Sequence, residues 1–126
     1  MNEPIPNVLG LQNPDSYFCN LERFFIGHSI LCVEVMGDER FYVIFQALEY
    51  FQGPKAWKGL NLVQEPASAC KALVSTVHTS LSDWTPEQID CSFKLYSIAT
   101  PTMPIKILSY QVFRSETPYP DFTPDE

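Results

Sequence analysis

Ile30-Leu31-Cys32-Val33-Glu34-Val35-Met36, Gly37-Asp38-Glu39-Arg40 and Phe41-Tyr42-Val43-Ile44-Phe45-Gln46-Ala47-Leu48-Glu49-Tyr50 follow one another without a break. The first run is rich in β-branched residues and alternates around Glu34. The second is a polar turn, and the third is aromatic and β-branched. Two such runs joined by a four-residue polar loop predict a β-hairpin. Phe41, Ile44, Phe45, Leu48 and Phe51 also fit a helical stripe, but the flanking turn and the residue types favour strand.

Upstream, Asn13 is a good helix cap, Pro14 suits the first helical position and Asp15 the first turn. Tyr17, Phe18, Leu21, Phe24 and Phe25 then recur at helical spacing, which predicts a helix over 14–25 ended by Gly27. Downstream, Leu60-Asn61-Leu62-Val63 reads as a short strand. Pro66 to His78 reads as a helix with Ala69, Cys70, Leu73, Val77 and Leu81 on one face. Thr85-Pro86-Glu87-Gln88 has a capping-box start with little helical pattern behind it, so a single turn is expected. Residues 91–98 and 105–113 read as two strands, and their short connection favours an antiparallel hairpin. Both faces of the last strand are partly apolar, which places it in a covered position. The expected fold class is therefore α+β, with a mainly antiparallel sheet of four to five strands in two hairpins packed with two helices.

At 126 residues with 45% apolar content, the chain suits a single packed domain. Six of its eleven prolines lie in the ends: Pro4, Pro6, Pro14, Pro118, Pro120 and Pro124. The expected organisation is an extended arm over 1–13, a globular body over 14–114 and an acidic, proline-rich tail over 115–126. Tyr119 and Phe122 are candidates to anchor that tail to the body.

The formal charge of −7 is unevenly placed. Five of the fifteen acids are Glu3, Glu116, Asp121, Asp125 and Glu126 in the two ends, leaving ten acids against eight bases between them. Those bases are dispersed, with no stripe to neutralise phosphates, so nucleic acid is not an expected partner. No apolar run is long enough for a membrane span, and Met1-Asn2-Glu3-Pro4 lacks the features of a signal peptide. A cytoplasmic protein is expected. Cys19, Cys32, Cys70 and Cys91 are spaced 13, 38 and 21 apart without a Cys-x-x-Cys pair, which favours reduced, mostly buried thiols and no metal.

The search for chemistry returns little. His28 lies in a turn and His78 near a helix end. Cys70 and His78 are about 12 Å apart along one helix, too far for a nucleophile–base pair. The five glycines never occur as Gly-x-Gly, so no phosphate loop and no cofactor are expected. The richest local feature is Tyr50-Phe51-Gln52-Gly53-Pro54-Lys55-Ala56-Trp57-Lys58-Gly59, a turn loaded with aromatics. Phe51 and Trp57 there read as a plug for one end of the core. The functional reading makes Tyr50, Pro54, Lys55, Trp57 and Lys58 a binding patch. The leading expectation is a small non-enzymatic protein-interaction domain, with a protein partner or self-association. One alternative is an acidic inhibitor or immunity-type protein that masks a basic partner. Another is a small-molecule binder or enzyme with an aromatic-lined pocket, its polar groups drawn from Cys70, His78, Tyr96 and Tyr110.

Overall fold

The expected hairpin forms the middle of a five-stranded sheet. A computed structural model describes residues 3–25, 29–101 and 103–117. Strands β2 (Ile30–Met36) and β3 (Arg40–Gln46) pair antiparallel through the turn at 37–39. β1 (Phe18–Phe25) adds to β2, β5 (Ala56–Lys58) to β1 and β9 (Gln111–Ser115) to β3, giving the order β5-β1-β2-β3-β9. A second antiparallel sheet has the order β4-β8-β7-β6, from β4 (Tyr50–Gln52), β6 (Val63–Gln64), β7 (Lys94–Ile98) and β8 (Ile105–Ser109). Two helices, α1 (Ala67–Val77) and α2 (Pro86–Asp90), complete the α+β fold. Among the described residues the strands thus number nine, in two sheets rather than one.

Part of the excess over the expected count comes from strands that change sheet, and the rest from β1 and β5, which lie where a helix and a turn were expected. The run 41–50 breaks where Ala47 adopts a left-handed φ of 53°, and Tyr50–Gln52 then joins the other sheet. The run 105–113 breaks at Tyr110, so that β8 and β9 belong to different sheets. Each half keeps its period-2 pattern, and only the break is invisible locally.

The helix expected over 14–25 is corrected. Pro14–Ser16 is one 3-10 turn, Asn13 makes no side-chain cap, and residues 18–25 form β1. The cause is a bulge between Leu21 and Arg23 that inserts one residue and shifts the inward phase. Alternation with one slip imitates a 3.6-residue period. Gly27 and His28 lie outside the described residues.

The two sheets face each other across the main core. Cys19, Leu31, Val33, Val35, Phe41, Val43, Phe45 and Trp57 come from the larger sheet, and Tyr96, Ile98, Ile105 and Ile107 from the smaller. The other side of the smaller sheet is covered by the helices: Cys70, Val74 and Ile89 bury Leu95 and Leu108. The capping box expected at Thr85 and Gln88 is present, and starts α2. At the N-terminal side, Ile5 bridges Gln64, and Leu11 packs into the main core.

Candidate interaction face

The residues of the aromatic turn are not assembled into one patch. Tyr50 lies on the smaller sheet, half-buried against the helix-covered cluster, with its hydroxyl 3.1 Å from Gln52 Oε1. Gly53-Pro54 carries the chain from one sheet to the other, and an added Cβ on Gly53 would sit 3.1 Å from Ile105 Cγ1. Lys55 is exposed, and its carbonyl accepts from the Leu21 amide at 2.8 Å. Trp57 is 6% exposed, packs into the inter-sheet core and donates its indole N–H to the Gly59 carbonyl at 3.0 Å. Lys58 is exposed and belongs to the opposite face of the strand from Trp57.

The four polar groups considered for a pocket also stay apart. Cys70 and Tyr96 are buried on opposite faces of the smaller sheet, the thiol pushed up to about 11 and the phenol to about 12, chiefly by burial. His78 Nε2 lies 2.7 Å from Glu49 Oε1, and Tyr110 is exposed. A groove of about 480 Å³ runs between α1 and the sheet, with Leu73 and Leu95 in its lining and Glu65, Ser97 and Lys106 among its polar groups. Ser97 donates to Glu65 and is the register partner of Lys106, so the groove's three polar groups stand together, with the serine and the carboxylate already bonded to each other. Among the described residues no three His, Cys, Asp or Glu gather as a metal-holding group, and no helix is long and apolar enough to cross a membrane.

The two helices pack on the smaller sheet and leave the outer face of the five-stranded sheet to its own side chains among the described elements. Alternation assigns to it Phe18 and Asn20 of β1, Ile30, Cys32, Glu34 and Met36 of β2, and Arg40, Tyr42 and Ile44 of β3. Ile44, Cys32 and Ile30 are nonetheless buried, with Tyr42 and Phe113 packed half-buried against them. At the end of the sheet near the β2–β3 turn, Lys58, Phe18, Met36 and Arg40 are successive partners across β5, β1, β2 and β3. Phe18 is 56% and Met36 44% exposed, large apolar groups standing side by side in water.

This row is about 14 Å across at ordinary strand spacing. Its centre is apolar and both its ends are basic. Arg40 contacts Glu34 at 2.5 Å and lies 3.4 Å from the Tyr42 hydroxyl, yet its side chain is 64% exposed. The hydrogen bond that Arg40 donates to Glu34 is the first cause that raises the Arg40 pKa above its already high ordinary value. Lys58 has no ion pair among the described residues.

Lys58 is the one residue shared with the expected patch. Phe18 and Met36 were hidden from sequence reading by the helical assignment of 14–25 and by the end position of Met36. The alternation Tyr17, Cys19, Leu21, with Phe18 and Asn20 between, is the signal that exposes Phe18. Comparison of the chain with protein families, with curated proteins and with solved structures finds no match to any of them.

Proposed function

We propose that the chain is a non-enzymatic interaction domain that holds a segment of another protein on the outer face of its five-stranded sheet. The observation that carries this reading is the Lys58–Phe18–Met36–Arg40 row. Adjacent exposed apolar side chains lose unfavourable contact with water when covered, at about 25 cal/mol per Å². The basic groups at both ends select what covers them. The fitting occupant presents two or more apolar side chains bracketed by Asp or Glu, so that its acids meet Lys58 and Arg40.

Charge disfavours a second copy docked by the same row. A two-fold axis between Phe18 and Met36 sets Lys58 of one copy against Arg40 of the other, and like charges oppose.

The test places a photo-crosslinking amino acid at Asn20, exposed on the same face, and maps the captured peptides by mass spectrometry. The reading expects captured segments of other proteins that carry apolar residues bracketed by acids, and expects capture to fall in Lys58→Glu and at high salt. Capture that is indifferent to Lys58→Glu and to salt, or no cross-link to another protein, overturns it.

A further inference from the structure

We infer that the groove between α1 and the smaller sheet is a binding site for a free α-amino acid with an apolar side chain. The site is separate from the outer face of the larger sheet and does not depend on what that face binds.

The groove exists because α1 covers only part of its sheet. Leu95 and Leu108 are buried in one cluster with Cys70 and Val74 of the helix. Two residues along each strand, on the same face, stand Ser97 and Lys106, which are register partners across β7 and β8. Toward them the helix presents the small side chains of Ala69 and Ala72, and a space of about 480 Å³ stays open beside it. Leu73 and Leu95 give this space an apolar wall. Its volume lies within the ordinary range of small-molecule sites.

The polar groups of the groove carry opposite charges that do not cancel each other. Glu65, directly after β6, accepts a hydrogen bond from the Ser97 hydroxyl on one carboxylate oxygen. Having donated its single proton, Ser97 offers only lone pairs, so the two residues together form a locus of acceptors. Lys106 brings three donors from the other direction; it is exposed and has no ion pair among the described residues. Because β7 lies between β6 and β8, the backbones that carry the carboxylate and the ammonium are two strand spacings apart, about 10 Å.

That arrangement discriminates by charge. A plain carboxylate meets Lys106 but leaves the Glu65–Ser97 acceptors without a donor. A plain amine meets those acceptors and is repelled by Lys106. A phosphate ester sets its negative charge against Glu65. An α-amino acid carries both charges on one carbon. Its ammonium donates to Glu65 and Ser97, its carboxylate accepts from Lys106, and its apolar side chain leaves water for Leu73 and Leu95.

The test is a heteronuclear NMR titration of the full chain with L-leucine and, as a larger member of the class, L-phenylalanine. Two analogues accompany them: isocaproate, which lacks the ammonium of leucine, and L-leucinamide, which lacks its carboxylate. At least one amino acid should give saturable shifts centred on the amides of Leu73, Leu95, Ser97 and Lys106, with a Kd of about 1 mM or below. Each analogue loses a charge-assisted hydrogen bond and should bind at least about tenfold more weakly than L-leucine. Lys106→Met should weaken the amino acid by a similar factor while leaving L-leucinamide no weaker. Glu65→Gln should weaken the amino acid while leaving isocaproate no weaker. Lys106 is exposed, so its variant carries the test alone where Glu65→Gln folds poorly. Absence of saturable shifts with both amino acids up to about 10 mM, tenfold above that limit, overturns the inference. Shifts centred outside the groove, or an affinity indifferent to Lys106→Met, do the same. Isocaproate binding as tightly as L-leucine overturns it in favour of a site for plain carboxylates. L-leucinamide binding as tightly overturns it in favour of a site for the N-terminus of a peptide.

Discussion

Replacing Trp57 by alanine removes the largest side chain of β5, an edge strand of three residues that pairs only with β1. The indole is 6% exposed and opposes Cys19 in the inter-sheet core. A tryptophan buries roughly 150–250 Å², which at about 25 cal/mol per Å² amounts to about 4–6 kcal/mol of transfer free energy. The cavity adds to that cost, whereas a short edge strand can settle inward and recover part of it. The expected loss is about 3–5 kcal/mol, a fall in unfolding midpoint of on the order of 10–20 °C at this chain length. Thermal melts by far-UV circular dichroism measure it, with urea unfolding to supply the free energy. Trp57→Phe keeps most of the ring volume but leaves the Gly59 carbonyl without its indole donor, and should cost about 1–2 kcal/mol. Lys58→Ala, on the exposed face of the same strand, should stay within about 0.5 kcal/mol of the parent. A Trp57→Ala midpoint within about 2 °C of the parent refutes the claim that Trp57 closes the core, and with it the assignment of this turn as a plug.

Two further predictions follow from the same packing. Gly37 has no room for a side chain: an added Cβ would meet the buried Tyr17 ring at 2.6 Å, and that ring stands edge-on to Phe41. Gly37→Ala should therefore cost about 1–3 kcal/mol in urea unfolding, and a neutral or stabilising result refutes the contact. Burial pushes the Cys19 thiol up to about 12, against an exposed Cys91, so a thiol reagent at pH 8 should modify Cys91 rapidly and Cys19 only after unfolding. Because the folded value lies above the unfolded one, the stability that Cys19 contributes is complete below about pH 9. It is then lost toward pH 12, at no more than about 1.4 kcal/mol per pH unit. Cys19→Ala should flatten that alkaline slope, and an unaltered slope contradicts the assignment.

Local chemistry determined a large part of this protein. The polar turn at 37–40 between two β-branched runs dictates the β2–β3 hairpin, and Pro66 with the apolar stripe behind it dictates α1. Thr85 and Gln88 cap α2 from a four-residue pattern. Each of these signals operates over a few residues, within reach of a single turn or one helical repeat.

Tertiary structure alone decided the rest. A bulge after Leu21 makes a strand read as a helical stripe, since one inserted residue moves apolar side chains to spacings of three and four. Whether Tyr110 continues a strand or starts a new one depends on Gln46, 64 residues upstream, whose carbonyl receives the Tyr110 amide at 2.9 Å. The interaction face has the same origin. Phe18 and Met36 become neighbours only because β1 and β2 pair in this register, and Lys58 and Arg40 flank them only because β5 and β3 take the outer places. A sheet face is composed across strands, perpendicular to the chain, so residues far apart in sequence meet on it and no local pattern records which face is left without a covering layer.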